Sequence, residues 1–426
     1  MQHNIEIEVW SDRIGPPLGV MINAIESCVH CGFCLPTCPT YLVLGEEMDS
    51  PRGRITLMKS VLEENLAVMD MSKYIDQCLD CRACVTVCPS GVRYDKLVSP
   101  FKAFLVSKVD RSILKRVERK FIKETLPYPS RFKKMIKLGR VVKPLRPIAP
   151  EKLKNMLGLL PHQVNLENDL PEIITAHGIR RARVALHLGC VQQVIAQRIN
   201  KATINILSRN GVEIVIPKNQ VCCGALNLHS GEYELAGNFA RQNLNVFPRD
   251  VDAIISNAAG CGSAMKEYSH LFQSFLGEMD VTAFSDKVKD ISEFLNALGF
   301  VEKPRFSEKL KIAYHDACHL AHAQHITQPP RQILSQIENL TLVEIPENEV
   351  CCGSAGTYNL EHPKIANKLG NRKAHNILST GAQAVVAGNI GCMVQINSKL
   401  NHNQNEIPVY HIVELLEMAY LTGSIN

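Results

Sequence analysis

The stretches CVHCGFCLPTCP (28–39) and CLDCRACVTVCP (78–89) decide the fold of this 426-residue chain. In each stretch, three cysteines are separated by two residues, a fourth follows after three more, and a proline stands directly behind it. Thiolates bind iron, and a tight loop with this spacing lets the backbone wrap around one face of a [4Fe-4S] cube. Zinc sites instead pair two C-x₂₋₄-C units across a longer gap. The spacing therefore predicts two iron–sulfur clusters.

This cysteine run is typical of two-cluster ferredoxins, in which the fourth cysteine of each run ligates the other cluster. Carried over to this chain, that arrangement assigns cluster 1 to Cys28, Cys31, Cys34 and Cys88. It assigns cluster 2 to Cys38, Cys78, Cys81 and Cys84. The interleaved ligands would tie both motifs into one small domain and hold the clusters within electron-transfer distance.

Between the two motifs, the stretch GEEMDSPRGRITLMKSVLEEN (45–65) predicts a helix that packs over the clusters. Asp49 or Ser50 can cap this helix, and Pro51 suits its first turn. Arg52 and Arg54 could neutralise the negative charge of the clusters, or they could simply be solvated residues at the start of the helix.

The composition is that of an ordinary soluble protein, with 46% hydrophobic and 21% charged residues. No apolar run reaches the ~18 residues that cross a bilayer, and the N-terminus lacks the basic and apolar regions of a signal peptide. We therefore expect a cytoplasmic protein. The 16 cysteines then indicate metal binding or redox chemistry, because cytoplasmic thiols are kept reduced.

The other eight cysteines form two similar quartets. The N-terminal quartet consists of Cys190, Cys222, Cys223 and Cys261. The C-terminal quartet consists of Cys318, Cys351, Cys352 and Cys392. Corresponding members are 128, 129 and 131 residues apart, and both quartets contain the sequence VCCG, so one unit has been duplicated.

Short β-branched runs precede these cysteines, and stretches of helical periodicity lie between the runs. Alternating strands and helices predict parallel sheets, whose carboxyl ends are where ligand sites assemble. Neighbouring side chains of an extended strand point to opposite faces, so Cys222 and Cys223 can reach one metal only if the chain turns. Gly224 and Gly353 supply the permissive backbone for such turns.

The occupants of the quartets are left open by the sequence. One or two further iron–sulfur clusters are the first interpretation. Zinc is the competitor, because a tetrahedral mixed site could form from His315, Cys318, His319 and His322. The third interpretation is that the quartets are inert buried thiols without a metal.

A basic stretch, residues 111–152, joins the two regions and contains 14 Lys or Arg against three Glu. Its charge is +11 in a chain with a net charge of +5. Apolar residues at helical intervals predict an amphipathic surface for anionic lipid or an acidic partner, or else a solvated linker helix. The modest net charge and the lack of a recognition motif argue against nucleic acid.

We find neither G-x-G-x-x-G after a strand nor G-x-x-x-x-G-K-[ST], so no nucleotide, nicotinamide or flavin site is predicted in this chain. No Ser/His/Asp triad or carboxylate pair stands out, and no catalytic residue is assigned. A relay of single electrons is the role that this pattern favours.

The order of motifs resembles the family of the glycolate oxidase iron–sulfur subunit, through strings such as CVHCGFCLPTCPTY, DSPRGRI, KEYSHLF, CCGSAGTY and NIGC. The resemblance implies two [4Fe-4S] clusters, FAD-containing partner subunits that oxidise glycolate or D-lactate, and a membrane quinone or another carrier as acceptor. It further implies an electron-transfer subunit that is not catalytic alone, peripheral on the cytoplasmic face of the inner membrane.

Heterodisulfide reductase subunits show a related pattern but end each unit with Cys-x-x-Cys. Here Ala264 and Gln395 take the place of that fifth cysteine, which argues against disulfide-reductase chemistry. A thiol/disulfide redox subunit and a zinc-stabilised assembly subunit remain the alternative functions.

The predicted fold is a ferredoxin-like, largely α-helical 2×[4Fe-4S] module, α+β in class, followed by an α/β region of two pseudo-repeated parallel-sheet CCG units. The predicted domains are residues 1–105 (ferredoxin type), 106–180 (basic linker), 181–305 (first CCG unit) and 306–426 (second CCG unit).

Overall fold

The structure is a computed structural model that describes residues 1–15, 17–148, 150–160, 170–277, 279–402 and 407–425. It is a mixed α/β protein in which helices form the first part and parallel sheets the second, as the sequence predicts. Residues 161–169 of the predicted linker lie outside the described ranges. The boundaries between the four predicted domains stay a prediction.

The N-terminal part, which contains both ferredoxin-type motifs, is helical in its described residues. Its helices are α1 (Ile7–Ile14), α2 (Leu18–Glu26), α3 (Pro39–Leu44), α4 (Pro51–Leu62), α5 (Val68–Asp76), α6 (Ala83–Thr86) and α7 (Tyr94–Lys108). Helix α4 is the one predicted between the motifs. The Ser50 side chain caps it by accepting a hydrogen bond from the Gly53 backbone N–H at 3.0 Å, and Pro51 occupies its first turn.

The basic stretch folds into helices that lead from this part to the sheets. They are α8 (Ile113–Thr125), α9 (Pro129–Val142) and α10 (Glu151–Gly158), with a 3₁₀ turn over Lys143–Ile148. Ile122, Phe132 and Ile136 are buried, whereas many of the basic side chains are exposed. Amphipathic helices are therefore confirmed for this stretch.

The first sheet has the strand order β1-β3-β2-β4-β5. Its strands are β1 (Ile173–Ile174), β2 (Ala182–His187), β3 (Val212–Val215), β4 (Ala253–Ser256) and β5 (Val288–Asp290). All pairs are parallel except β1 with β3. Its helices are α11 (Gln192–Ile195), α12 (Gln197–Arg209), α13 (Ala225–His229), α14 (Tyr233–Val246), α15 (Ala259–Lys266), α16 (Tyr268–Leu276), α17 (Val281–Lys287) and α18 (Ile291–Leu298).

The second sheet has the order β7-β6-β8-β9 and is parallel throughout. Its strands are β6 (Arg305–His315), β7 (Glu338–Glu344), β8 (Ala384–Ala387) and β9 (Val409–His411). Its helices are α19 (Gln328–Ser335), α20 (Tyr358–Glu361), α21 (Pro363–Ser379), α22 (Ile390–His402) and α23 (Ile412–Leu421), with a π-helical turn over His319–Ala323. The order matches β3-β2-β4-β5 of the first sheet.

The two sheets share one hydrophobic core. Val184 and Ile214 of the first sheet belong to the same buried cluster as Ile312 and Val385 of the second. A second buried cluster holds the N-terminal helices together. Because the sheets bury apolar surface against each other, the ends of their strands keep a defined relative position.

Strands β5 and β9 are short, lie at a sheet edge and were not predicted. Each is followed by a helix with a capping box, formed by Asp290 and Glu293 before α18 and by His411 and Glu414 before α23. No cysteine follows either strand, so the pattern that revealed the other strands did not mark these two. The shared sequence V-x-[DH]-I-x-E was the signal that could have found them.

The buried cap of α18 makes stability depend on pH. Burial raises the pKa of Asp290 to about 6. The folded protein then retains a proton that the unfolded chain has already released, so stability falls as pH rises through about 4 to 6. We expect Asp290→Asn to raise the free energy of unfolding by about 1–3 kcal/mol at pH 8 and to change little at pH 4.

Urea unfolding of both proteins at several pH values checks this prediction. Asp280→Asn, at the exposed cap of α17, controls for placing an amide at a helix start. A constant difference between wild type and Asp290→Asn across this pH range would contradict the assignment.

Candidate metal centres

The two ferredoxin-type loops have the same backbone conformation. Positive φ occurs two and four residues after the first cysteine, at His30 (57°) and Gly32 (87°) in the first loop and at Asp80 (53°) and Arg82 (64°) in the second. Left-handed residues at alternate positions curl the chain around the cysteines. The second loop uses two non-glycine residues for this curl, a conformation that is uncommon outside glycine.

The thiols of these two loops interact electrostatically across the motifs. Cys28 is in electrostatic contact with Cys88 as well as with Cys31. Cys84 is in electrostatic contact with Cys38 in addition to Cys81 and Cys78. The fourth cysteine of each motif therefore approaches members of the other motif.

Donors around the sulfurs fit iron–sulfur ligation. The backbone N–H of Asp80 lies 3.4 Å from Cys78 Sγ, and the N–H of Val92 lies 3.4 Å from Cys88 Sγ. The Tyr94 hydroxyl lies 3.7 Å from Cys78 Sγ. Donors to ligand sulfur stabilise the anionic thiolate and tune the potential of a bound cluster. Four thiols per site and these donors are what such a cluster requires.

Arg54 is a buried cation beside Cys38, the fourth cysteine of the first motif. Its side chain is only 1% exposed, and its guanidinium pairs with Asp49 at 3.2 Å and donates to Thr40 Oγ1 at 3.0 Å. The same guanidinium lies 4.0 Å from Cys38 Sγ. Arg52 instead pairs with Glu47 at the surface. Arg52 also donates to the His30 carbonyl at 3.1 Å and interacts electrostatically with Cys34, so both arginines lie beside thiols and Arg54 is the buried one.

The second ferredoxin-type loop is clamped by both sheet units. Arg82 forms an ion pair with Glu267 of the first unit. His229 of the first unit lies 3.4 Å from the Asp80 carboxylate, and His319 Nε2 of the second unit donates to the Asp80 carbonyl at 3.1 Å. These contacts hold the loop at the junction of the two sheets.

The two CCG quartets assemble at the carboxyl ends of the parallel strands. Cys190 and Cys318 follow the central strands β2 and β6, and the other members follow the neighbouring strands. Gly224 and Gly353 have φ values of 81° and 87°, which confirms the predicted turn after each cysteine pair. A Cβ on Gly353 would lie 3.0 Å from the Ala366 carbonyl oxygen, so the site needs glycine for space as well as for conformation.

Within each quartet the thiols are in direct contact. Cys190 Sγ lies 3.3 Å from Cys222 Sγ, and Cys318 Sγ lies 3.8 Å from Cys351 Sγ. The sulfurs of Cys352 and Cys392 lie within 4.8 Å of each other, and Cys223 interacts electrostatically with Cys261. The four members of each predicted set therefore lie at the carboxyl end of one sheet, with one pair of sulfurs in contact in each set.

The electrostatic surroundings of the two quartets differ. In the second unit the buried ammonium of Lys373 donates to the carbonyls of Glu347 (2.7 Å) and Asn348 (3.3 Å), next to Cys351 and Cys352. In the first unit the corresponding loop is held by a neutral amide, Asn243 Nδ2, which donates to the Cys222 carbonyl. A nearby cation stabilises thiolates, so the C-terminal quartet is the more favourable of the two sites for negative charge.

The histidines proposed from sequence as zinc ligands are not brought together. His319 and His322 have both ring nitrogens engaged by protein groups: Nε2 donates to the carbonyls of Asp80 and Glu349, and Nδ1 lies near the hydroxyls of Ser263 and Thr86. His315 is different. Its ligand atom and those of Cys352 and Cys392 all lie within 4.8 Å of one another. Within the described residues, this is the one set of three metal-ligating side chains that meets this limit.

The histidine of the first unit, His187, was not predicted from the sequence. His187 ends β2 as His315 ends β6, and each precedes the first cysteine of its quartet by three residues. Both imidazoles are 1% exposed. The repeated spacing H-x-x-C at an offset of 128 residues was the available signal.

Burial shifts the pKa values of thiols and imidazoles at these sites. It raises the pKa of the Cys34 thiol to about 11 and lowers the pKa of His319 to about 3. Burial, aided by the nearby Lys373 cation, also holds the pKa of His315 well below its ordinary value. The imidazoles are therefore neutral, the form in which histidine binds metal, whereas metal binding to the thiols must displace protons.

The positions of the missing fifth cysteines are filled by other side chains. Gln395 is buried and donates to the Ala366 carbonyl at 2.9 Å, while its own carbonyl oxygen accepts from Asn359 at 3.2 Å. Ala264 is buried on α15. Neither position offers a thiolate.

The second ferredoxin-type site and the C-terminal quartet are neighbours. Cys81 is in electrostatic contact with Cys318, and both belong to one apolar cluster with Cys351. A cavity of about 490 Å³ then connects the two quartets, because seven of their eight cysteines line it. Its remaining wall is largely apolar and includes Phe121, Phe132 and Leu157 of the basic helices.

Comparison with known families supports this description. A profile described as "4Fe-4S dicluster domain" matches residues 24–92, and one described as "Cysteine-rich domain" matches residues 184–266 and 312–397. The chain is therefore an iron–sulfur protein that combines a dicluster domain with cysteine-rich domains. Among the described residues, none of the helices has the length and apolar character needed to span a membrane.

Relatives extend the match to almost the full length. The chain is 33% identical to the glycolate oxidase iron-sulfur subunit of Escherichia coli, covering 93% of this chain and 94% of the relative. It is 35% identical to a probable glycolate oxidase iron-sulfur subunit of Bacillus subtilis, covering 92% and 93%. The chain belongs to the glycolate oxidase iron–sulfur subunit family.

Two further similarities are partial or structural. Lactate utilization protein A of Bacillus subtilis is 28% identical over 55% of this chain and 98% of its own length. A crystal structure of a hypothetical protein from Helicobacter pylori aligns with a TM-score of 0.55 and 11% identity, covering 99% of this chain and 76% of that one. The latter likeness concerns the fold alone.

Proposed function

We propose that this chain is the electron-transfer subunit of a flavin-dependent 2-hydroxy-acid dehydrogenase complex, of the glycolate or D-lactate type, and is not catalytic alone. The observation that carries the proposal is the continuous series of thiol sites, from the exposed Cys31 through Cys81 and Cys318 to the shared cavity. When bound at such sites, iron–sulfur clusters accept and release single electrons. The names of the relatives support the choice of a hydroxy acid.

The finer assignments belong to the same proposal. Cluster 1 would be held by Cys28, Cys31, Cys34 and Cys88, and cluster 2 by Cys38, Cys78, Cys81 and Cys84, in a ferredoxin-like module. The two sheets would descend from one duplicated CCG unit, and each quartet would hold a further metal centre. The matching strand orders and the paired VCCG turns support the duplication.

The face that receives electrons is the first ferredoxin-type loop. Cys31 is exposed there, and the neighbouring Val29 and Phe33 are 67% and 64% exposed. Apolar side chains beside an accessible redox site are typical of protein contacts. An FAD-containing subunit would dock on this loop.

The face that delivers electrons is the cavity between the two quartets. Its lining is mostly apolar, which suits the ring of a membrane quinone or a similar lipophilic carrier. Phe121 and Leu138 line the cavity and are also exposed on the outer surface. The apolar wall is thus continuous with the outside of the basic helices.

The same helices would rest on the cytoplasmic face of an anionic bilayer. Leu114, Val117 and Val141 are 83%, 61% and 76% exposed among exposed Lys and Arg residues. Basic charge attracts anionic lipid, and exposed apolar side chains insert at the interface. Part of the basic charge is used internally, since Lys123 pairs with Glu232 and Arg111 with Asp76.

We expect Leu114→Glu combined with Val141→Glu to weaken binding to phosphatidylglycerol vesicles by about tenfold or more. Vesicle flotation measures this change. Ile179→Glu is the control, because Ile179 is 88% exposed on the first sheet unit, outside the basic helices. Equal loss of binding in both variants, or no binding by the wild type, would remove the membrane contact from the proposal.

The whole proposal is tested on the tagged full-length chain, purified anaerobically with its partner subunits. We expect about eight irons or more per chain and bleaching of the visible absorbance by glycolate or D-lactate only when the flavoprotein is present. A soluble quinone should restore the colour. Zinc with little iron would favour an assembly role, and disulfide reduction by the chain alone would favour a thiol/disulfide enzyme.

A further inference from the structure

We infer that His315 is a metal ligand of the C-terminal quartet and supplies an imidazole nitrogen to a thiolate-bound iron or zinc ion. Its ligand atom and the sulfurs of Cys352 and Cys392 lie within 4.8 Å of one another. All three side chains are buried. This inference deepens the proposed function and rests on metal occupancy of that quartet.

The state of the imidazole supports ligation. His315 is 1% exposed, and its Nδ1 atom has no hydrogen-bond partner in the described structure. An unpaired buried nitrogen costs about 1–3 kcal/mol, so a native protein normally gives it a partner. A metal ion bound through Nδ1 would provide one, and one ring nitrogen of His315 lies within 4.8 Å of the sulfurs of Cys352 and Cys392.

The first unit shows how such a histidine is oriented. His187 Nε2 donates to the Val221 carbonyl at 3.2 Å, and its Nδ1 is likewise without a partner in the described structure. Histidines that bind metal commonly donate their other N–H to a carbonyl in this way. In this unit, however, no set of three ligand atoms meets the same distance limit within the described residues, so the inference is confined to His315.

The donor set has a definite chemistry. The quartet provides four thiols but no fifth, since Gln395 stands at the position of the fifth cysteine. The side chain of Gln395 is held by hydrogen bonds to Ala366 and Asn359. His315 therefore adds a nitrogen donor to a sulfur site from the strand that bears Cys318. Mixed cysteine and histidine ligation suits zinc, and exchange of thiolate for imidazole raises the potential of an iron–sulfur centre.

The test uses the full-length chain, purified anaerobically from cells fed ¹⁵N-histidine. Metal analysis identifies the ion. Pulsed EPR then detects histidine nitrogen coupled to a paramagnetic iron centre, or zinc-edge X-ray absorption detects a nitrogen at about 2.0–2.1 Å beside sulfur at about 2.3 Å. We expect such a nitrogen in the wild type.

Two variants make the assignment specific. His315→Cys should retain the metal and lose the nitrogen signal, because a thiolate replaces the imidazole. His322→Gln is the matched control: His322 is buried near the same quartet, but Thr86 and Glu349 already engage both of its nitrogens. This control should keep both the metal and the signal.

Failures of the inference and of the proposed function are distinguishable. A metal-loaded quartet without histidine nitrogen, or a nitrogen signal that survives in His315→Cys, overturns the role of His315 and leaves the electron relay standing. Iron confined to the ferredoxin-type sites, with no zinc, also overturns it. Loss of all iron from the native protein would remove the relay as well.

Discussion

Replacement of Arg54 by methionine is expected to lower the free energy of unfolding by about 3–5 kcal/mol. The guanidinium is buried, pairs with the buried Asp49 and donates to Thr40 and to the Tyr74 carbonyl. Its removal leaves the Asp49 carboxylate without a countercharge in a site that excludes water. The same change removes a positive charge 4.0 Å from Cys38 Sγ, so the reduction potential of the second cluster should fall.

Anaerobic urea unfolding followed by circular dichroism gives the stability, and redox titration with EPR gives the potential. Arg52→Met is the matched control, because its side chain is 28% exposed and its partner Glu47 is 40% exposed. An exposed pair of this kind contributes about 0–1 kcal/mol. The double variant Asp49→Asn with Arg54→Met should recover part of the lost stability. Equal effects of Arg52→Met and Arg54→Met would contradict this account.

Replacement of Cys88 by serine should abolish the cluster of the other motif. If ligation is interleaved, Cys88→Ser and Cys28→Ser both remove the EPR signal of cluster 1. The signal of cluster 2, which Cys81→Ser removes, should remain in both variants. The electrostatic interactions of Cys28 with Cys88 and of Cys84 with Cys38 support this expectation. Each single variant should lose about four of the eight ferredoxin-type irons.

Cys38→Ser is the reciprocal variant and should match Cys81→Ser. Iron content, sulfide content and low-temperature EPR of the four variants decide the ligand sets. Should Cys88→Ser instead match Cys81→Ser, each motif would hold its own cluster. The ligand assignment would then be wrong, although the chain would still bind two clusters.

Much of the candidate site was predictable because metal-binding cysteines recur at characteristic spacings. The six strands that precede cysteines were predicted from their β-branched runs and lie where expected. The turn after each cysteine pair followed from glycine, since few other residues adopt positive φ. Short edge strands such as β5 and β9 were missed because they are too short to show a periodic pattern.

The role of individual charged and polar residues was not predictable. Arg52 and Arg54 occupy similar positions in the sequence, yet one lies at the surface and the other is buried against Cys38. Likewise, His319 and His322 looked as suitable for metal as His315. Their ring nitrogens are used by backbone and hydroxyl groups of other segments, which a single sequence does not place.

The sequence by itself determined the iron–sulfur motifs, the two cysteine quartets, the parallel sheets and the basic amphipathic helices, because each shows as a spacing or a periodicity along the chain. The tertiary structure alone decided that Cys81 lies beside Cys318, that both quartets open into one apolar cavity and that His315 reaches Cys352 and Cys392. These contacts join residues that are tens to hundreds of positions apart. They depend on how the helical part and the two sheets pack, and that packing is set by the shape of shared cores rather than by any local pattern.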